Sequence, residues 1–192
     1  MRMNNKHGFS LIELVVVLVI IGIMAAIAVP NIIAWLPNMR LKAAARDLYS
    51  AAMKAKGEAI KRNVNCSLVF NQSVGGVTPA YIVYADSNRN FKYDPPQPNG
   101  CTPGTSGCTI IDPIITKVQQ WPKNVFLDTS QGGGDGLTFT NDNAGKPAIF
   151  FRSNSIPTQA GGGFANGTAF LKNTNNRKRS IVISRAGNIS IQ

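Results

Sequence analysis

The sequence predicts an α+β fold in which a long N-terminal helix packs on an antiparallel β-sheet domain. Three observations carry this expectation. Residues 9–29 are apolar apart from Ser10 and Glu13. The segment NMRLKAAARDLYSAAMKAKGEAIKRN, which follows Pro37, is rich in helix formers. Beyond Asn63 the pattern changes to short β-rich runs separated by Gly/Asn turns. A long helix followed by short, tightly connected strands belongs to the α+β class.

The first element is long enough to span a bilayer. About 20 helical residues cross the hydrocarbon core, and no charged residue occurs between Leu14 and Val29. Residues 9–29 are therefore expected to form a transmembrane helix. Residues 30–62 continue it as an amphipathic segment, with Pro30 and Pro37 as kinks rather than ends. Leu41, Ala45, Leu48, Ala52, Ala55 and Ala59 recur in steps of four and three, giving one small-residue stripe. That stripe is expected to face a sheet, with Arg46, Lys54, Glu58 and Lys61 mostly in solvent. Asn63-Val64-Asn65 ends the helix, and residues 63–192 form the β-rich globular domain.

Glu13 is the anomaly of the apolar run. A charged side chain inside a membrane helix costs roughly 2.5–3.5 kcal/mol on insertion scales and usually has a partner. No basic residue lies within the run. Three readings compete. A secretory signal peptide would use Arg2 and Lys6 as its charged region and Ala26-Ile27-Ala28 as its cleavage site. A plain signal anchor would leave the acid unexplained. A leader cut between Gly8 and Phe9 would free an α-amino group with a pKa of about 8, four residues from the acid. That amine could pair with Glu13 in its own helix, or with Glu13 of a staggered neighbouring helix.

Gly8-Phe9-Ser10-Leu11-Ile12-Glu13-Leu14, after a short basic leader and before a long apolar helix, resembles the type IV prepilin signature. The resemblance implies a type IV pilin-like fold and removal of the leader, residues 1–8, by a prepilin peptidase. It also implies N-methylation of Phe9 and a role for Glu13 in docking to other pilin or pseudopilin subunits. A single-pass subunit of the bacterial inner membrane is expected, its globular domain exported to the periplasm and then carried in a pilus or pseudopilus. Charge alone does not decide this orientation: Arg2 and Lys6 precede the span, and Arg40, Lys42 and Arg46 follow it.

Composition narrows the function classes. The net charge is +11, and without Arg2 and Lys6 it is +9, a balance that suits nucleic acid, anionic lipid or an acidic partner subunit. The single histidine is His7, in the leader. After cleavage no Ser-His or Cys-His pair and no histidine metal site can form within one chain, so no enzyme, metal or cofactor is expected. The three cysteines, Cys66, Cys101 and Cys108, form no C-x-x-C pair. Cys101 and Cys108 bracket TPGTSG and suggest a small disulfide loop, which suits an exported domain; Cys66 competes for either partner.

Strands are expected at CSLVFN (66–71), AYIVYAD (80–86), ITKVQQW (115–121) and VFL after Pro122-Lys123-Asn124. GLTFTND, PAIFFRS, TAFLKN, RSIVISR and NISIQ follow. GGGDG and GGGFANG read as surface loops, since no phosphate-binding helix follows them. No internal repeat of fixed period is present.

Two polar motifs remain. Asp86-Ser87-Asn88-Arg89-Asn90 begins like a calcium loop. Such a loop also needs Gly at its sixth place and Glu at its twelfth, where this chain has Phe91 and Gln97. A polar β-turn leading into a short strand is the expected alternative. At the C-terminus, Arg177, Lys178 and Arg179 lead into a strand that ends near Arg185. Such a cluster either clamps phosphates without reading sequence or forms a solvated basic edge that blocks unwanted strand pairing.

YADSNRNFKYD, LTFTNDNAGKPAIF, a Gly-rich loop and RKRSIVISRAGNISI together resemble the GspH/FimT branch of minor pilins and pseudopilins. The resemblance implies a minor subunit that primes pilus assembly or sits at the tip of a secretion pseudopilus. Some members bind DNA through a C-terminal G-R-x-R. At the matching place this chain reads Gly187-Asn188-Ile189-Ser190, without either arginine. Arg177, Lys178, Arg179 and Arg185 are the candidates to substitute. The expected function is thus a non-enzymatic minor pilin or pseudopilin. A DNA-uptake receptor on the same scaffold, a major pilin and a membrane-anchored enzyme are the alternatives.

Overall fold

The computed structural model of the chain describes residues 9–96 and 111–192. Cys101 and Cys108, like Gly8 and Gln97, lie outside the described residues. A single helix, α1, runs from Leu11 to Arg62. It continues through Pro30 and Pro37, whose places in the run interrupt but do not end it. Asn63 closes it in the left-handed conformation (φ 53°), with its N–H donating to the Ile60 carbonyl. Asparagine tolerates this region better than most residues, which makes it a natural helix stop.

Nine strands follow. They are β1 (Asn65–Phe70), β2 (Tyr81–Asp86), β3 (Ile114–Val118), β4 (Val125–Leu127) and β5 (Ala148–Phe151). Then come β6 (Pro157–Thr158), β7 (Gly167–Asn173), β8 (Lys178–Ile183) and β9 (Ile189–Ile191). All pairings are antiparallel. The sequence suggests one sheet; the strands form two, ordered β3-β2-β1-β5-β6 and β4-β7-β8-β9. The second half of α1 packs on both. Every residue of the expected stripe, from Leu41 to Ala59, is buried against them, together with Ala44 and Ala51. Alanine leaves little side chain between helix and sheet, so the backbones approach closely.

The expected strand GLTFTND is not a strand. Leu137 and Asn141 make only isolated bridges, to Ala169 and Pro147. The Thr138 hydroxyl takes the N–H of Thr168 at 2.8 Å, the donor that a regular ladder would give to a carbonyl. Phe139 lies over Gly167, where any Cβ would overlap its ring. ITKVQQW likewise pairs only as far as Val118; Trp121 leaves the sheet and packs at 49° on Tyr81.

The Asp86–Asp94 motif leads into no strand. It folds back over the outer face of the first sheet. Asp86 accepts the N–H groups of Asn90 and Phe91, both at 3.1 Å. Asp112 accepts those of Ser87 (2.8 Å) and Asp94 (3.0 Å), and Asp94 accepts the amides of Asn88 and Asn90. The loop thereby carries Phe91 edge-on to Phe150 (5.0 Å) and Tyr93 onto Tyr84 (5.2 Å). Val69, Ile82, Tyr84 and Phe150 form a second small core beneath it. With helix on one face and loop on the other, β1, β2 and β5 are buried on both sides, which explains their unbroken apolar runs.

Cys66 belongs to this architecture. It is fully buried in the core between β1 and α1, and burial pushes its thiol up to about 12. Its place is that of a small core hydrophobe.

Candidate functional site

Two regions stand out from the packed core: the bare half of α1 and the basic end of β8. From Leu11 to Leu36 every residue of α1 is exposed. The most apolar window has mean hydropathy 3.0 and no buried residue. An apolar surface of this size is normally covered by lipid or by other subunits. The helix is long and apolar enough to cross a membrane.

At its start, Ser10 is the N-cap, and its carbonyl accepts the N–H groups of Glu13 (3.1 Å) and Leu14 (3.2 Å). Glu13 sits in the first turn, where a carboxylate complements the positive end of the helix. Phe9, Glu13, Leu14, Val17 and Leu18 line one shallow groove of about 340 Å³. The acid and the residue whose amine cleavage would expose thus share one face. Gly8, the other half of the expected cut, lies outside the described residues.

The basic residues are sorted by strand geometry. In β8 successive side chains alternate between faces. Ile181 and Ile183 point into the core, so Arg179 and, just before the strand, Arg177 fall on the helix side. Lys178 falls on the other face, where its ammonium lies 2.6 Å from Asp128. Lys172, directly across the ladder, lies 3.5 Å from the same carboxylate, and the Ser130 hydroxyl donates to it at 2.7 Å. Lys178 and then Ser130 hold this carboxyl well below its usual range.

On the helix side a groove of about 320 Å³ is lined by Trp35, Asn38, Lys42, Arg177 and Arg179, with Lys178 between them although its ammonium is turned to Asp128. An adjoining one joins Arg179 to Lys42 and Arg46. Arg177 and Arg179 have no ion-pair partner among the described residues. The structure therefore divides the basic run 177–179 and adds helix cations to half of it. Arg185 is not part of this groove. It lies beyond the far end of β8, six residues or about 20 Å from Arg179, and its Nε donates to Asn166 at 3.3 Å. Lys42, Arg46 and Trp35 are distant from β8 in sequence. Only the β7–β8 register and the packing of β8 on α1 unite them, so no local signal marks the groove.

Comparison with known proteins agrees with this architecture. Residues 3–29 match the prokaryotic N-terminal methylation motif. Residues 44–187, three quarters of the chain, match the family described as type II transport protein GspH. The chain belongs to the GspH family. This GspH-family chain is also 37% identical over 100 residues to the pilin-like protein PilA1 of Thermus thermophilus. The match covers 51% of the chain and 60% of that relative. No solved structure matches significantly. The methylation motif and the GspH match together place the chain among prepilin-type proteins, and α1 is long and apolar enough to cross a membrane.

Proposed function

We propose that this protein is a minor pilin or pseudopilin, a subunit that helps initiate or cap a type IV pilus or a type II secretion pseudopilus. The observation that carries the proposal is the division of α1. Its second half buries an alanine stripe in its own domain, while its first half presents 26 consecutive exposed residues, Leu11 to Leu36. A helix of this kind is built to be covered twice, by lipid before assembly and by neighbouring helices afterwards.

In this mechanism the prepilin peptidase cuts between Gly8 and Phe9, and the new terminus is methylated. The amine at Phe9 then meets Glu13 of an adjacent subunit. Water is excluded there, so a missed pairing would strand a charge in an apolar medium, at a cost of roughly 3–5 kcal/mol. The pair thereby selects the axial register. The β-rich domain faces outward and contacts other minor subunits.

The test is Glu13→Val in the native host. The variant is expected to be cleaved and to stay in the membrane. It should fall at least tenfold in the assembled filament or pseudopilus fraction, measured by quantitative immunoblotting. Normal incorporation would remove Glu13 from the docking step and sink this mechanism.

A further inference from the structure

The level at which the globular part meets the bilayer can be placed from α1, provided that this helix spans the membrane as proposed. No charged residue occurs from Leu14 to Met39. Residues 14–34 would occupy about 31 Å at the helical rise, which matches a hydrocarbon core of about 30 Å. Glu13 then sits at one boundary. Trp35, 56% exposed, sits at the other, the level at which tryptophan concentrates.

The β7–β8 hairpin reaches down to that boundary. Asn175 donates its side-chain amide to the Ala34 carbonyl at 3.0 Å, and Asn173 donates to the Asn38 side chain at 2.8 Å. The Thr174 N–H donates to the Asn124 carbonyl at 3.2 Å, which brings the Lys123 turn alongside. The end of the domain nearest the membrane therefore presents Arg40, Lys42, Lys123, Arg177 and Arg179. Among the described residues none of these five cations is in an ion pair. The first helix acid beyond the span is Asp47, and Asp128 is buried with its lysines. Five of the chain's nine acids, all aspartates, are buried, so the exposed side chains are more cationic than the net charge indicates.

We propose that this basic rim binds the anionic phospholipid headgroups of the leaflet from which the globular domain emerges, seating the domain on the membrane before assembly. Arg40 and Lys42 lie five and seven residues past Trp35, about 8 and 11 Å along the helix. That is just beyond a headgroup layer about 5–7.5 Å deep and within one Debye length of it. The geometry favours lipid over nucleic acid. A strand or duplex reaching Arg177 would have to displace the headgroups beside it. The one aromatic of the groove, Trp35, is at the membrane boundary and not free to stack on bases.

The full chain would be placed in nanodiscs of phosphatidylcholine alone, or with phosphatidylglycerol, and followed by hydrogen exchange. Phosphatidylglycerol should slow exchange across residues 172–180. The protection should fall roughly fivefold for each arginine removed in R177A/R179A, disappear in high salt, and survive in R177K/R179K. Equal exchange in both nanodiscs, with residues 14–34 protected, overturns the lipid proposal and leaves the spanning helix intact. Fast exchange of residues 14–34 in either nanodisc overturns the spanning helix itself, and the placement with it. Protection of the hairpin by added DNA duplex or by an acidic partner subunit, without any from phosphatidylglycerol, overturns lipid in favour of that ligand.

Discussion

Asp128 and Asp112 are both buried aspartates, yet their surroundings push them in opposite directions. Lys178, Ser130 and Lys172 surround Asp128 and favour its charged form, so its carboxyl is held low. Asp112 has only backbone N–H donors, and burial with Asp86 and Asp94 nearby raises it to about 6. Unfolded, both titrate near 4. For Asp112 the native state binds its proton first, so acidification from about 6 toward 4 stabilises the fold, and the gain is lost as pH rises through about 6. For Asp128 the stabilisation is present above the unfolded value and is lost as pH falls below it. Denaturant unfolding against pH should therefore show a shallow rise in stability on mild acidification, then a fall below about pH 4. Burial also raises Asp86 and Asp142, so Asp112→Asn should reduce the rise without abolishing it, and leave the fall. A rise unchanged in that variant would assign it to another group. Neither role is legible in the sequence, since Lys172, Lys178 and Asp128 meet only through strand register.

At the scale of elements, the small-residue stripe of α1 is the main seam of the domain. Ala52 and Ala55 are completely buried between the helix and both sheets. Ala52→Leu should force helix and sheet apart and cost about 1–3 kcal/mol, measured by denaturant unfolding of the full chain in detergent. The exposed neighbour Ala43→Leu should change stability by less than about 0.5 kcal/mol. Equal effects at the two positions would mean that the seam is not close-packed. This element could be read from the sequence because helical periodicity is local. The stripe from Leu41 to Ala59, the stop at Asn63 and eight of the nine strands all follow from residues close in the chain. The division into two sheets does not, because nothing local tells β7 to pair with β4 and β8 rather than with β5. GLTFTND carries a strand's composition, but Thr138 satisfies its neighbour with a hydroxyl and Phe139 occupies the space above Gly167. The basic run 177–179 reads as one cluster in sequence. The pleat of β8 divides it, leaving Arg177 and Arg179 with the helix cations and Lys178 with Asp128.

Across the whole molecule, one helix belongs to two environments. Its upper half is the core of a β-rich domain, and its lower half has no cover among the described residues. That arrangement suits a subunit that is stored in a membrane and consumed by assembly, and it makes the N-terminus the point on which the account depends. The direct measurement is the N-terminal residue and intact mass of the protein recovered from membranes of the native host. The expected result is a chain that begins at N-methylated Phe9. Its charge partner would then be Glu13, four residues on. A chain that begins after Ala28 would have lost the apolar half of α1 altogether, and a filament role would be contradicted. A chain that retains Met1 and the leader would contradict the processing on which docking through Glu13 rests.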